Sequence, residues 1–194
     1  MAQFLPCLVV PPYRRLVTTP LPTSNAGEQY IRSFLLLHNP DEADFTVEGF
    51  SDILSHGQME TADPVLKFVF FWTYDDDNIS FNLQTILSLL PLEGLAFLDV
   101  VTDFNVYLSP EFWTVAFGSI QTLNEIYLET TTSNFWKALA LTNEDNNAVK
   151  SLSFPALTSI TVDDHPLKSQ RILDKLRIRS ELGGTQLQSL VFAG

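Results

Sequence analysis

Histidine, cysteine and clustered carboxylates are the residues through which this chain could bind metals or catalyse reactions. The three histidines are His38, His56 and His165, and none stands at metal-ligand spacing from another histidine or from the single cysteine, Cys7. The sequence contains no nucleophile-elbow, zinc-protease or phosphate-loop motif. We therefore expect no catalytic residue, no metal and no cofactor, and we interpret the chain as a non-enzyme.

Two acidic segments are the remaining candidates for chemistry. Residues 75–77, Asp-Asp-Asp, follow a predicted strand at a rim where loops often bind ions, but they lack the Gly and the distal Glu of a calcium loop. Residues 163–165, Asp-Asp-His, follow a later strand and could form an acid/base pair. We favour the plainer interpretation of both segments, which is a solvated polar turn.

The overall charge limits the kinds of partner. Lys and Arg number 11 against 23 Asp and Glu, which gives a net charge of −12. Because phosphate groups are bound mainly by Lys and Arg, we expect neither nucleic acid nor an anionic membrane as a partner. A protein partner with a basic or apolar segment fits better, and a charge that serves only solubility remains the alternative.

Location can also be predicted from the sequence. One cysteine excludes an internal disulfide, the apolar N-terminus has the wrong charge order for a signal peptide, and no apolar run is long enough to cross a membrane. We expect an intracellular protein, in the cytoplasm or the nucleus.

A six-residue pattern, apolar-x-x-apolar-x-apolar, recurs along the chain and predicts its strands. Copies begin at residues 5, 31, 65, 95, 123, 157 and 187, at steps of 26, 34, 30, 28, 34 and 30 residues. Leucine-rich repeats have a period of roughly 20–29 residues. The clearest copies are Leu95/Leu98/Val100, Leu123/Ile126/Leu128, Leu157/Ile160/Val162 and Leu187/Leu190/Phe192.

Amphipathic segments between the copies predict helices. The best start signal is residues 109–111, Ser-Pro-Glu, which combine a capping side chain, a proline at the first helical position and an acid in the first turn. Four prolines between residues 11 and 22 predict an extended connection instead. The predicted helices span 80–90, 109–117, 133–139 and 166–182, and a further short helix could span 44–55.

This alternation of strands and helices predicts the fold. Strands that alternate with helices pair in parallel, and units of about 30 residues must stack to bury their apolar faces. We predict an α/β leucine-rich-repeat-like solenoid, one domain over 1–194, with a curved parallel sheet and helices on its convex side. Its repeats are irregular over 1–64 and regular over 65–194. The alternative is a doubly wound α/β enzyme or ligand-binding domain with its site at the C-terminal rim of the strands, although the Gly-rich first turn of that fold is missing.

Three sequence segments resemble those of a known family. They are Leu108-Ser109-Pro110-Glu111-Phe112-Trp113, Phe154-Pro155-Ala156-Leu157, and the ending from Leu173 to Phe192. Over roughly residues 65–194 the chain resembles the leucine-rich-repeat-like C-terminal region of F-box proteins from mushroom-forming fungi. The resemblance implies that the repeats recruit a substrate protein. A ubiquitin-ligase adaptor is expected as a partner only if an F-box lies outside this chain, because no F-box-like helical segment occurs near its Pro-rich N-terminus.

Strand side chains alternate, so the positions between the inward-pointing apolar residues define a second face of the sheet. This face is apolar in the earlier strands and acidic in the later ones, which suits a basic, apolar partner segment. The apolar part could instead be buried under the irregular N-terminal segment, since parallel strands are usually covered on both faces. Charge reversal at Glu125 and Glu129 should weaken partner binding without unfolding the domain. The predicted partner-binding residues are Phe71, Phe97, Asp99, Glu125, Tyr127, Glu129 and Asp163.

Overall fold

The computed structural model describes residues 16–18, 30–41, 44–71, 79–103, 106–129, 133–140, 142–144, 150–163 and 169–193. The strands in this part of the chain are β1 (Leu16–Thr18), β2 (Ser33–Asn39), β3 (Asp44–Phe50), β4 (Leu66–Phe71), β5 (Phe97–Val101), β6 (Glu125–Glu129), β7 (Thr142–Glu144), β8 (Lys150–Leu152), β9 (Ser159–Asp163) and β10 (Ser189–Ala193). The helices are α1 (His56–Met59), α2 (Ile79–Leu87), α3 (Pro110–Ala116), α4 (Ser133–Ala138) and α5 (Ser169–Glu181).

Eight of the described strands form one mixed sheet in the order β1-β4-β3-β2-β5-β6-β9-β10, and β7 and β8 pair separately. In this order, neighbouring strands from β2 through β5, β6 and β9 to β10 pair in parallel. The pairs β1–β4, β4–β3 and β3–β2 are antiparallel. The prediction of an α/β fold is confirmed, but the prediction of a wholly parallel sheet is wrong. Only residues 40–43 separate β2 from β3, and a parallel crossover needs a dozen residues or more.

The antiparallel strands also correct two local predictions. Residues 44–50 form β3 rather than a helix, with Phe45 and Val47 fully buried on one face and Thr46 and Glu48 half-buried on the other. Their burial alternates from one residue to the next, which is the pattern of a strand. The three-residue spacing of Val47 and Phe50 also fits a helix, and it led to the wrong prediction. The pattern copy that starts at residue 65 forms β4, which pairs antiparallel with β3, so this copy does not belong to the parallel series.

The N-terminal predictions are only partly covered by the structure. The pattern copy at residue 5 and most of the proline-containing segment 11–22 lie outside the described residues. Within that segment, β1 pairs antiparallel with β4 at one edge of the sheet. The acidic segment 75–77 also lies outside the described residues.

The four main helices occur where the sequence predicts them. The Ser109 hydroxyl accepts a hydrogen bond from the Phe112 amide at 3.1 Å, as its capping role requires. Ser80 lies inside α2 rather than before it, and its hydroxyl donates to the Tyr107 carbonyl at 3.0 Å. The first helical turn thereby fastens α2 to the segment that leads into α3.

All four of these helices cover one face of the sheet, which we call the helix face. Buried side chains of α2, α3, α4 and α5 share a single apolar core with Phe34, Leu98, Ile126 and other strand residues of that face. Aromatic rings fill its centre: Trp113 contacts Phe135 with ring centroids 5.1 Å apart, in an edge-to-face arrangement. This core supplies most of the buried apolar surface of the described fold.

A repeated hydrogen-bond pattern sets the register of the parallel strands. The carbonyl oxygens of Arg32, Ala96, Asn124 and Thr158 each accept two backbone N–H groups at the start of the next strand. The strands therefore begin level with one another, and residues at equivalent positions form straight rows across the sheet. On the face opposite the helices, which we call the open face, the central row is Lys67, Glu48, Leu35, Asp99, Tyr127, Thr161 and Val191.

Candidate functional site

The open face carries the predicted partner-binding residues of β5, β6 and β9, but not as one exposed surface. Asp99 and Tyr127 are neighbours in the central row, and Glu129 and Asp163 are neighbours in the next row. Glu125 lies half-buried in the row on the other side. Phe71 ends β4 opposite Asp44 in the register, and its side chain lies outside the described residues.

Residues 51–65, which we call the cover segment, cross the open face and bury part of its apolar zone. Phe97 is only 3% exposed and packs with Phe50 and with Met59 of α1. The Leu54 amide donates to the Ser33 hydroxyl at 2.8 Å, which ties the segment to β2. Of the two interpretations of the apolar zone, burial therefore holds for Phe97.

His56 connects the cover segment to the acidic part of the open face. Its Nδ1 lies 2.6 Å from Asp99 Oδ2, and its ring stacks on Tyr127 with centroids 4.0 Å apart and an interplanar angle of 12°. Its Nε2 lies 4.0 Å from Glu60 Oε1. One imidazole thus contacts two strands of the sheet as well as its own segment.

Asp99 is the most buried acid of the cluster, at 1% exposure. Burial raises its pKa to about 6, and the hydrogen bond and charge of His56 oppose that rise. The nearby carboxylates of Glu129 and Glu60 raise it further. Asp99 Oδ1 is buried and has no hydrogen-bond partner among the described residues. A buried acceptor without a donor is unfavourable, so this oxygen is suited to a ligand that brings one.

Tyr127 and Asp163 extend the cluster along the sheet. The Tyr127 hydroxyl donates to Asp163 Oδ2 at 3.1 Å. Burial raises the pKa of Tyr127 above its usual range, and the bond to Asp163 adds to the rise. The phenol therefore stays protonated and acts as a fixed hydrogen-bond donor. The His56 ring stacks on this phenol.

A groove of about 260 Å³ opens beside this cluster, and we call it the acidic groove. It combines an apolar wall with carboxylates from the sheet and from the cover segment. Its lining residues are Leu35, Leu37, His56, Met59, Glu60, Asp99, Val101 and Glu129.

The groove combines a histidine–aspartate pair with two further carboxylates, on Glu60 and Glu129. The His56–Asp99 pair could orient an imidazole as a general base. The described lining, however, contains no Ser, Thr, Cys or Lys that such a base could activate. Across the described residues, no group of three or more His, Cys, Asp or Glu side chains is arranged to hold a metal ion. Carboxylates beside an apolar wall are instead suited to a cation with an apolar stem.

The sequence prediction named cover by the irregular N-terminal segment as one interpretation of the apolar zone, but it missed His56 and its contacts, which only a weak signal could have found. Ser55 and Gln58 form a capping box that starts α1, and the Ser-x-x-Gln spacing is a known helix-start pattern. The contact between His56 and Asp99 joins residues 43 positions apart. No local pattern specifies such a contact.

Comparisons of the chain with family models, curated proteins and solved structures found no match. Function is therefore inferred from the geometry of the open face. No helix within the described residues has the length and apolar character that a membrane crossing requires.

Proposed function

We propose that this chain is a non-catalytic protein-recognition domain that binds a basic segment of a partner protein in the acidic groove. One observation carries the proposal: an apolar wall of Leu35, Leu37 and Val101 faces carboxylates that include a buried oxygen without a donor. The net charge of −12 favours a basic partner through long-range attraction. A segment with a basic side chain next to apolar residues would complement both parts of the groove.

The finer fold assignment belongs to the same proposal. We infer that β2, β5, β6, β9 and β10 form a leucine-rich-repeat-like solenoid. The repeated carbonyl pattern supports this, as does the contact of α2, α3, α4 and α5 with one another in chain order. A doubly wound fold reverses its strand order and covers both faces with helices, whereas here the described helices α2–α5 share one face.

The resemblance to fungal F-box proteins supports a biological setting for this binding domain. In that setting the domain acts inside the cell, in the cytoplasm or nucleus, and recruits a substrate for ubiquitination. A ligase adaptor would be a partner only through an F-box outside this chain. The binding proposal does not depend on this setting, because it rests on the groove.

Selection of a random peptide display library on the purified protein tests the proposal. We expect enriched peptides to carry a basic residue beside apolar ones. Their affinity should fall at least about fivefold for the double variant Glu125→Lys/Glu129→Lys, because two attractive charges become repulsive. Circular dichroism checks that the variant is folded.

The matched control is Glu181→Lys, which reverses a charge on α5, a helix on the opposite face. It should leave peptide affinity unchanged. Enrichment of neutral or acidic peptides, or equal affinity for the folded double variant and the wild type, would overturn the proposal.

A further inference from the structure

We propose that the acidic groove binds a single lysine side chain of the partner, with its ammonium at Asp99 and Glu129 and its aliphatic stem along the apolar wall. This inference rests on the proposed function, because it names the chemical group that the same site recognises. The buried Asp99 oxygen, the balance of charge around the groove, and the number of free acceptor oxygens each support it.

The first support is the unsatisfied oxygen. Asp99 is 1% exposed and lines the groove, and its Oδ1 has no donor among the described residues. Its other oxygen is occupied by His56 Nδ1 at 2.6 Å. A ligand N–H would complete the coordination of this carboxylate, and charge-assisted bonds of this kind are the stronger ones.

The second support is charge. Three carboxylates, on Glu60, Asp99 and Glu129, line the groove with one imidazole. Lys67 lies in the same central row, but its ammonium is 2.6 Å from Glu48 and the residue is not part of the groove lining. The groove therefore presents an excess of negative charge that a ligand cation would neutralise.

The third support distinguishes lysine from arginine. A guanidinium binds a carboxylate best through two parallel hydrogen bonds, which require both carboxylate oxygens. Asp99 offers only Oδ1, because Oδ2 is held by His56, so a guanidinium that contacts Asp99 cannot form the pair there. An ammonium is a point donor that needs no such pair. The side chains of Leu35, Leu37 and Val101 then suit the four-carbon stem of lysine.

Nuclear magnetic resonance titration with three small probes tests the inference. The probes are n-butylammonium, n-butylguanidinium and n-butanol, and the protein carries labelled Leu and Val methyl groups. We expect n-butylammonium to shift the methyl signals of Leu35, Leu37 and Val101 with a millimolar dissociation constant, as its small size implies. n-Butylguanidinium should bind more weakly, and n-butanol weakest of all.

Two variants with the same chemical change provide a matched comparison. Glu129→Gln should weaken n-butylammonium binding about threefold, as the loss of one partly exposed charge implies. Glu181→Gln makes the same chemical change on α5, a helix of the opposite face and outside the groove lining, and it should leave binding unchanged. Tighter binding of the guanidinium, equal binding of the alcohol, or an unchanged constant for Glu129→Gln would overturn the lysine inference.

The probe and peptide experiments separate the two proposals. If peptides rich in arginine bind the groove and n-butylammonium does not, the lysine inference fails and the proposed function stands. If n-butylammonium binds as expected and no basic peptide is enriched, the groove is a cation site and the proposed function fails.

Discussion

The two faces of the sheet are both buried at their centres, but they are built differently. On the helix face, Trp113 and Phe135 are 1% and 0% exposed within an apolar core. On the open face, Phe97 and Asp99 are 3% and 1% exposed, yet one of them is a carboxylate and they lie beneath a non-repeating segment with one short helix. Side chains of the first kind stabilise a fold, whereas a buried acid with a free oxygen is suited to bind something.

This difference indicates a division of roles, with the helix face serving the stability of the fold and the open face serving binding. The helix face should carry most of the folding free energy, because apolar burial is the dominant favourable term. The open face should carry binding, and variants of its acidic residues should change recognition or pH dependence more than stability. Four variants test this division, from the largest expected effect on stability to the smallest.

Truncation of Phe135 should have the largest effect. Its ring contacts Trp113, Trp136 and Phe154 at centroid distances of 5.1, 5.3 and 5.8 Å. Phe135→Ala should lower the free energy of unfolding by about 4 kcal/mol, as lost burial and a residual cavity imply. Urea unfolding measures the loss. Val115→Ala, at a 58% exposed position of α3, serves as the control and should change stability by less than about 0.5 kcal/mol.

Truncation of Phe97 should have a smaller effect, because the cover segment can partly collapse into the space. We expect Phe97→Ala to lower the free energy of unfolding by about 2–3 kcal/mol. It should also speed hydrogen exchange at the Leu54 amide, which bonds to Ser33. A decrease in the free energy of unfolding as large as that of Phe135→Ala would contradict the proposed difference between the faces.

Asp99 should make stability depend on pH. Its folded pKa of about 6 lies above the ordinary value of 3.8, so the folded protein holds an extra proton between these pH values. The stability that this proton contributes is present at low pH and is lost as the pH rises through 6. Asp99→Asn removes this titration and leaves the facing groups His56, Glu60, Tyr127 and Glu129 in place.

The comparison of the two proteins isolates this effect. From pH 7.5 to pH 5, the unfolding free energy of the wild type should rise by about 1.4 kcal/mol relative to Asp99→Asn. Urea titrations at the two pH values measure the change. A constant difference between the two proteins would mean that burial does not perturb the Asp99 carboxyl.

Charge reversal should change stability least. Glu125 and Glu129 are half-buried on the open face, and Glu129 raises the pKa of Asp99 through like-charge repulsion. Glu125→Lys/Glu129→Lys should therefore change the free energy of unfolding by less than about 1 kcal/mol. Thermal unfolding measures this. A much larger loss would show that the acidic side chains support the fold, which would contradict their proposed role in binding.

The parallel part of the molecule could be predicted from sequence because its signals are local. Each apolar-x-x-apolar-x-apolar copy from residue 95 onward marks a strand, and the Ser-Pro-Glu segment before α3 marks a helix start. The antiparallel part could not be predicted with the same rules. Period-two burial identifies β3 as a strand, but it carries no information on the direction in which its neighbours run.

The candidate site could likewise be predicted only in part from the sequence. Alternation along the strands was enough to predict that Asp99, Tyr127 and Glu129 share a face, because side-chain direction is a property of the backbone. The exposure of that face was not predictable. Phe97 has the sequence signature of an open-face residue, yet the cover segment buries it.

By itself, the sequence determined the parallel strands, the main helices, the acidic charge and the identity of the side chains on each face of the parallel strands. These properties depend on neighbours within one turn or one strand. Only the tertiary structure decided that His56 meets Asp99 across 43 positions of the chain. It also decided that one oxygen of that carboxylate stays buried without a donor. Contacts of this kind depend on where a connecting segment packs, and no local periodicity encodes that choice.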